Sequence, residues 1–145
     1  MSLASPFPQL DHARIVAAIA AAERRTSGEI RVVVDRRKLA DPVGAARRHF
    51  EHQGMTRTAA RNGVLLLLAP RSRSFAIIGD EGIHRHCGDA FWREVAAELE
   101  EHFGRSDFAG GIEHAVAKAG ALLARHFPRS PDDRNELPDS VVEAG

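Results

Sequence analysis

The sequence has no tyrosine, one tryptophan and one cysteine. With so few aromatic rings, the chain offers little on which successive bases of a single strand could stack. Lysine plus arginine total 20, and aspartate plus glutamate also total 20, so the formal net charge is zero. A nucleic-acid footprint calls for a basic excess or a basic face, and no nucleic-acid partner is expected. A lone Cys87 closes no internal disulfide, which suits a reducing cytoplasm. No apolar stretch approaches the roughly 18–20 residues of a membrane span. The opening residues lack a basic segment, and the Ala-rich patch at 15–22 is too short and follows Asp11, His12 and Arg14. Neither a signal peptide nor a membrane anchor is expected. The sequence also lacks Gly-x-Ser-x-Gly, Gly-x-x-x-x-Gly-Lys and a Gly-x-Gly-x-x-Gly after a strand, so no organic cofactor is expected. The remainder reads as a soluble, cytoplasmic chain of 145 residues, the size of one domain, 43% hydrophobic and 28% charged.

What is present is organised around residues 61–82. Arg61-Asn62-Gly63 is a turn, and residues 64–69 are wholly apolar, as in a strand covered on both faces. The connection Pro70-Arg71-Ser72-Arg73 allows only a tight reversal. Residues 74–79 then form a second strand antiparallel to the first, ending at Asp80-Glu81-Gly82.

Upstream, residues 1–10 are a Pro-punctuated lead-in. Asp11 caps a helix with Ile15, Ala18, Ile19 and Ala22 at helical spacing. Residues 29–35 are β-branched and predict a strand. Asp41-Pro42 starts a helix with Val43, Ala46 and Phe50 on its apolar stripe. A strand, a helix and a strand make a crossover unit, so the strands at 29–35 and 64–69 should run parallel. Residues 82–88 read as irregular, with 82–86 a candidate short edge strand. Asp89 is read as the cap of a helix burying Phe91, Trp92, Val95, Leu99 and Phe103. Asp107 caps a last helix that buries Ile112, Val116, Ala119 and Leu123. The domain is expected at 11–128, with an extended or mobile tail at 129–145. The expected fold is α/β: a three-layer α/β/α sandwich around a small mixed sheet.

The order Thr26-Ser27-Gly28-Glu29-Ile30, Gly54-Met55-Thr56, Arg61-Asn62-Gly63-Val64, Gly79-Asp80-Glu81-Gly82-Ile83, Phe91-Trp92, Gly110-Gly111-Ile112 and Asn135-Glu136-Leu137-Pro138-Asp139 resembles the TPM domain family. Each motif is weak alone; their order and number are specific. The resemblance implies a Rossmann-like sandwich. It also implies relatives that include a thylakoid-lumen acid phosphatase of photosystem II repair, membrane-linked proteins, and a bacterial form that binds calcium or other divalent cations. It does not fix a reaction.

The predicted topology places chemistry at two rims of the sheet. One rim gathers Glu29, Asn62, Asp80 and Glu81, with Asp89 at the next helix start. These hard oxygen donors suit Ca²⁺ or Mg²⁺, and Arg61 there could hold an anion such as phosphate. The competing reading is structural: Arg61 pairs with Glu29 or Asp80, and Asn62-Gly63 only turns the chain. The opposite rim carries Arg36, Arg37, Lys38, Arg71 and Arg73, suited to phosphate or an acidic partner, or simply solvated. His84-x-His86-Cys87 is a weak zinc candidate, and Cys87 a weak nucleophile candidate. His49 and His52 sit at i, i+3. Three functions follow: an accessory module that binds a divalent cation, a metal-assisted phosphatase, or a protein-interaction module without metal.

Overall fold

The computed structural model describes residues 11–129 and 141–144. The expected lead-in at 1–10 and most of the expected tail lie outside these residues. In chain order the elements are α1 (His12–Glu23), β1 (Glu29–Asp35), α2 (Pro42–His52), β2 (Gly63–Ala69), β3 (Ser74–Gly79), α3 (Glu81–Gly104), α4 (Phe108–His126) and β4 (Val141–Ala144).

The sheet has the order β3-β2-β1-β4. β1 runs parallel to β2 in the register Glu29↔Gly63 through Val34↔Leu68. β3 is antiparallel to β2, from Val64↔Gly79 to Ala69↔Ser74. The reversal turns on Arg73, whose φ of 49° places it in the left-handed region. These are the directions that the crossover and the short connection predict.

The strands β1 and β2 are buried along their whole length, because helices cover both faces. Side chains alternate between two cores. Val32, Val34, Val64, Leu66 and Leu68 pack with Ile19, Val95, Leu99, Ile112 and Leu123 of α1, α3 and α4. Val33, Leu65 and Leu67 face Ala46 and Phe50 of α2, together with Met55. This is the expected three-layer sandwich, with three helices on one face and one on the other.

Two elements differ from expectation. Helix α3 begins at Glu81, not at Asp89, so residues 82–86 are helical rather than irregular or an edge strand. Gly88, with φ 67° and ψ −175°, kinks the helix into two rods. The first rod is possible because Asp80 caps it and Gly82 lets it close on the chain. A Cβ at Gly82 would lie 2.2 Å from the Ala60 carbonyl oxygen and 2.5 Å from that of Arg61. The second difference is β4. Val141–Ala144, in the expected tail, pairs in parallel with β1 from Val32↔Val141 to Asp35↔Ala144 and makes the sheet four-stranded.

Candidate functional site

At the rim formed by the start of β2 and the end of β3, Arg61, Asp80 and Glu81 come together. Asp80 N–H donates to the Gly63 carbonyl at 2.8 Å, which fixes the end of β3 beside the start of β2. Arg61 then clamps Asp80: Nε donates to Oδ2 at 2.6 Å and Nη2 to Oδ1 at 2.8 Å. Its Nη1 reaches Glu81 Oε1 at 3.3 Å. Asp80 Oδ1 also accepts from the Glu81 N–H at 2.8 Å, capping α3. Arg61 sits at φ 53°, a left-handed conformation that costs an L-residue about 1–2 kcal/mol. A bidentate pair to a buried carboxylate offsets that strain.

Glu29 does not join this clamp. β2 lies between β1 and β3, so Glu29 stands two strand spacings, roughly 10 Å, from the end of β3. It is buried. Asn62 is also buried, and its Nδ2 donates to Ser27 Oγ at 3.3 Å. Asp89 lies beyond the first rod of α3, where its Oδ1 is 3.4 Å from His84 Nε2. The five predicted cation ligands therefore share a region but not a coordination sphere. No group of three or more His, Cys, Asp or Glu among the described residues is placed to hold a metal ion. In this arrangement the residues do not fit a cation unless Arg61 releases Asp80.

The same end of the sheet opens into a groove of about 760 Å³. Its floor is β3, from Phe75 to Gly79. One wall is α2, through Val43, Arg47, Phe50 and Glu51, and the other is α3, through Trp92, Arg93 and Ala96. Asp80, Glu81, His84 and Asp89 close one end. Trp92 is fixed by its Nε1–H, which donates to His84 Nδ1 at 3.2 Å. The tryptophan fits there because Gly79 has no side chain: a Cβ would come within 2.4 Å of the indole. β3 is an edge strand, and no described residue pairs with its outer side. The sequence carried no direct sign of this groove. Its one legible hint was the apolar run of residues 75–78 directly before an acidic turn.

The remaining candidates resolve into structural roles. His84 serves Trp92 and Asp89, and His86 stacks on His126 with centroids 4.2 Å apart. Cys87 is half-buried against the larger core, and burial pushes its thiol pKa up, away from thiolate chemistry. At the opposite rim, Asp35 is fully buried. It accepts from Arg37 Nε at 2.9 Å and Nη2 at 2.6 Å, and it lies 2.8 Å from His49 Nε2. The Arg37 hydrogen bonds, helped by His49, hold its carboxyl far below the usual range despite burial. Arg36 donates to Glu143 of β4 at 3.1 Å. Two of the five rim cations are thus tied to carboxylates. Lys38, Arg71 and Arg73 are exposed. His52 is exposed and stands apart from the His49 pair.

Comparison with known proteins adds the following. A family model described as the TPM domain matches residues 4–122. The NMR structure of BA42 protein from the psychrophilic bacterium Bizionia argentinensis is 35% identical, with a TM-score of 0.84 and 92% of each chain covered. The N-terminal domain of a P. gingivalis protein is 19% identical, with a TM-score of 0.68, covering 85% of this chain and 83% of that one. The N-terminal domain of cg2496 protein from Corynebacterium glutamicum is 19% identical, with a TM-score of 0.59, covering 90% of this chain and 76% of that one. The last two similarities concern the fold alone. No curated protein sequence matches. No described helix is long and apolar enough to cross a membrane.

Proposed function

Because the chain belongs to the TPM domain family, we propose that it is an accessory binding module whose working surface is the groove along β3. One observation carries this reading: an open strand lies between two helices, with an apolar floor and charged ends. Open strand edges are sites where an extended segment adds to a sheet by main-chain hydrogen bonds. The test is NMR titration of the labelled chain with extended apolar hexapeptides carrying charged flanks. Shifts confined to β3 and to the facing sides of α2 and α3 are expected. Shifts elsewhere, or none with any peptide, would overturn the reading.

Divalent-cation binding attaches to the same groove end. Its support is that Asp80, Glu81 and Asp89 all line it. Ca²⁺ or Mg²⁺ would take oxygen donors there only after Arg61 leaves Asp80. Arg61→Gln should therefore respond at lower cation concentration than the wild type. If millimolar Ca²⁺ moves no resonance at residues 79–82 in either protein, the cation reading fails.

Metal-assisted phosphatase activity has less support, since it calls on Asp80 as a ligand while Arg61 holds both its oxygens. Equal phosphatase rates in wild type and Asp80→Ala would remove it. Cytoplasmic residence belongs to the same proposal, and cell fractionation tests it.

A further inference from the structure

The groove runs along a strand whose two ends carry opposite charge. Just before β3 lie Arg71 and Arg73, exposed and making no ion pair with a described residue. Just after it lie Asp80 and Glu81, the latter with 64% of its side chain exposed. Between them, residues 74–79 contain no charge and no proline. Natural edge strands are usually blunted by charge, proline, a bulge or short length, and β3 has none of these inside its six residues. The walls carry both signs too: Arg47 and Glu51 on α2, Asp89 and Arg93 on α3.

A strand that pairs antiparallel with β3 must present an acidic end to Arg71 and Arg73 and a basic end to the exposed Glu81, since Arg61 already holds Asp80. Between those ends it must be apolar. The pattern this edge demands is therefore its own. Building on the groove as binding surface, we propose that β3 pairs antiparallel with β3 of a second copy of this chain. With the two-fold axis at Ile77, Phe75 stands opposite Gly79 of the second copy and Arg73 opposite its Glu81, so that opposed side chains share a face of the sheet. Each dimer has this basic-to-acidic junction twice, as an isologous interface requires. The two four-stranded sheets join into one continuous sheet, and the otherwise open edge is closed.

The test uses the full chain in sedimentation velocity over a concentration series to millimolar. The wild type should move from 15.8 kDa toward twice that mass. Arg71→Glu/Arg73→Glu makes both ends acidic, and Glu81→Lys makes both ends basic. Arg71, Arg73 and Glu81 are exposed, so the fold is retained. Each variant alone should dimerise at least about tenfold more weakly than the wild type, and an equimolar mixture of the two should recover the wild-type affinity. Hydrogen exchange should show concentration-dependent protection of the outward amides of Phe75, Ile77 and Gly79. A wild type that stays monomeric at millimolar concentration overturns the proposal, as does a mixture no tighter than its parts. Concentration-dependent protection located elsewhere overturns it as well. A monomeric wild type that still takes an apolar peptide along β3 overturns the second copy as occupant and leaves the binding-groove reading intact.

Discussion

The two edges of this sheet are built on opposite principles. β4 is four residues long, parallel to its neighbour, and its Glu143 is engaged by Arg36 and by His12 at 3.0 Å. Beside it the buried Asp35 is locked by Arg37 and His49. β3 is longer and apolar, and its outer side faces a groove between helices. A short, charged edge offers little template for another strand, whereas a flat apolar one is a template. The proposed binding edge is thus the one that ion pairs leave open. The basic rim, a rival site in the sequence, is where two of the cations are spent on the protein's own carboxylates.

The largest expected effect comes from removing the groove wall. Trp92→Ala deletes a large side chain that is 7% exposed and packs over Gly79, at a cost of about 3–5 kcal/mol. Urea unfolding measures it. A loss below about 1 kcal/mol would mean that the indole is not part of the fold's support.

Asp35→Asn should cost about 2–3 kcal/mol near neutral pH, because charge-assisted hydrogen bonds to a buried carboxylate are weakened. The pH dependence has a definite sign. The folded state holds Asp35 below its ordinary pKa, so the unfolded state binds the proton more readily. The stabilisation is full above the unfolded value of about 4 and is lost as pH falls below it. The wild type should lose stability on acidification below about pH 5, and Asp35→Asn should lose less over the same range. Parallel acid-stability profiles would remove Asp35 from this role.

The smallest effect should come from β4's own charge. Glu143→Ala breaks two exposed pairs and should cost at most about 1 kcal/mol, with the difference shrinking in high salt. A larger, salt-independent loss would show that the β4 edge depends on more than its surface ion pairs.

Much of this molecule was legible because its centre is periodic. The apolar run at 64–69, the four-residue reversal and the crossover from residue 29 determine β1, β2 and β3 and their directions. The aspartates at 11, 41 and 107 do cap helices, each accepting from the backbone three residues on. The first rod of α3 was hidden because Gly82 and the histidines at 84 and 86 look like loop residues. Its helicity depends on contact with the Arg61 turn, which is remote in sequence. β4 was hidden because four residues carry no alternation long enough to read. For the site, the sheet rim could be read from strand direction alone. The strand order could not, and it is the position of β2 that sets Glu29 apart from Asp80. Which acid Arg61 takes depends on a left-handed backbone that no sequence pattern announced.

β2 itself is enclosed on four sides, with a core on each face and a hydrogen-bonded strand along each edge. It has no surface on which a new group could meet solvent. Any chemistry that descendants of this scaffold acquire must therefore be written at the perimeter, in the loops and outer strands. The middle strand can change only by exchanging one hydrocarbon shape for another of equal volume.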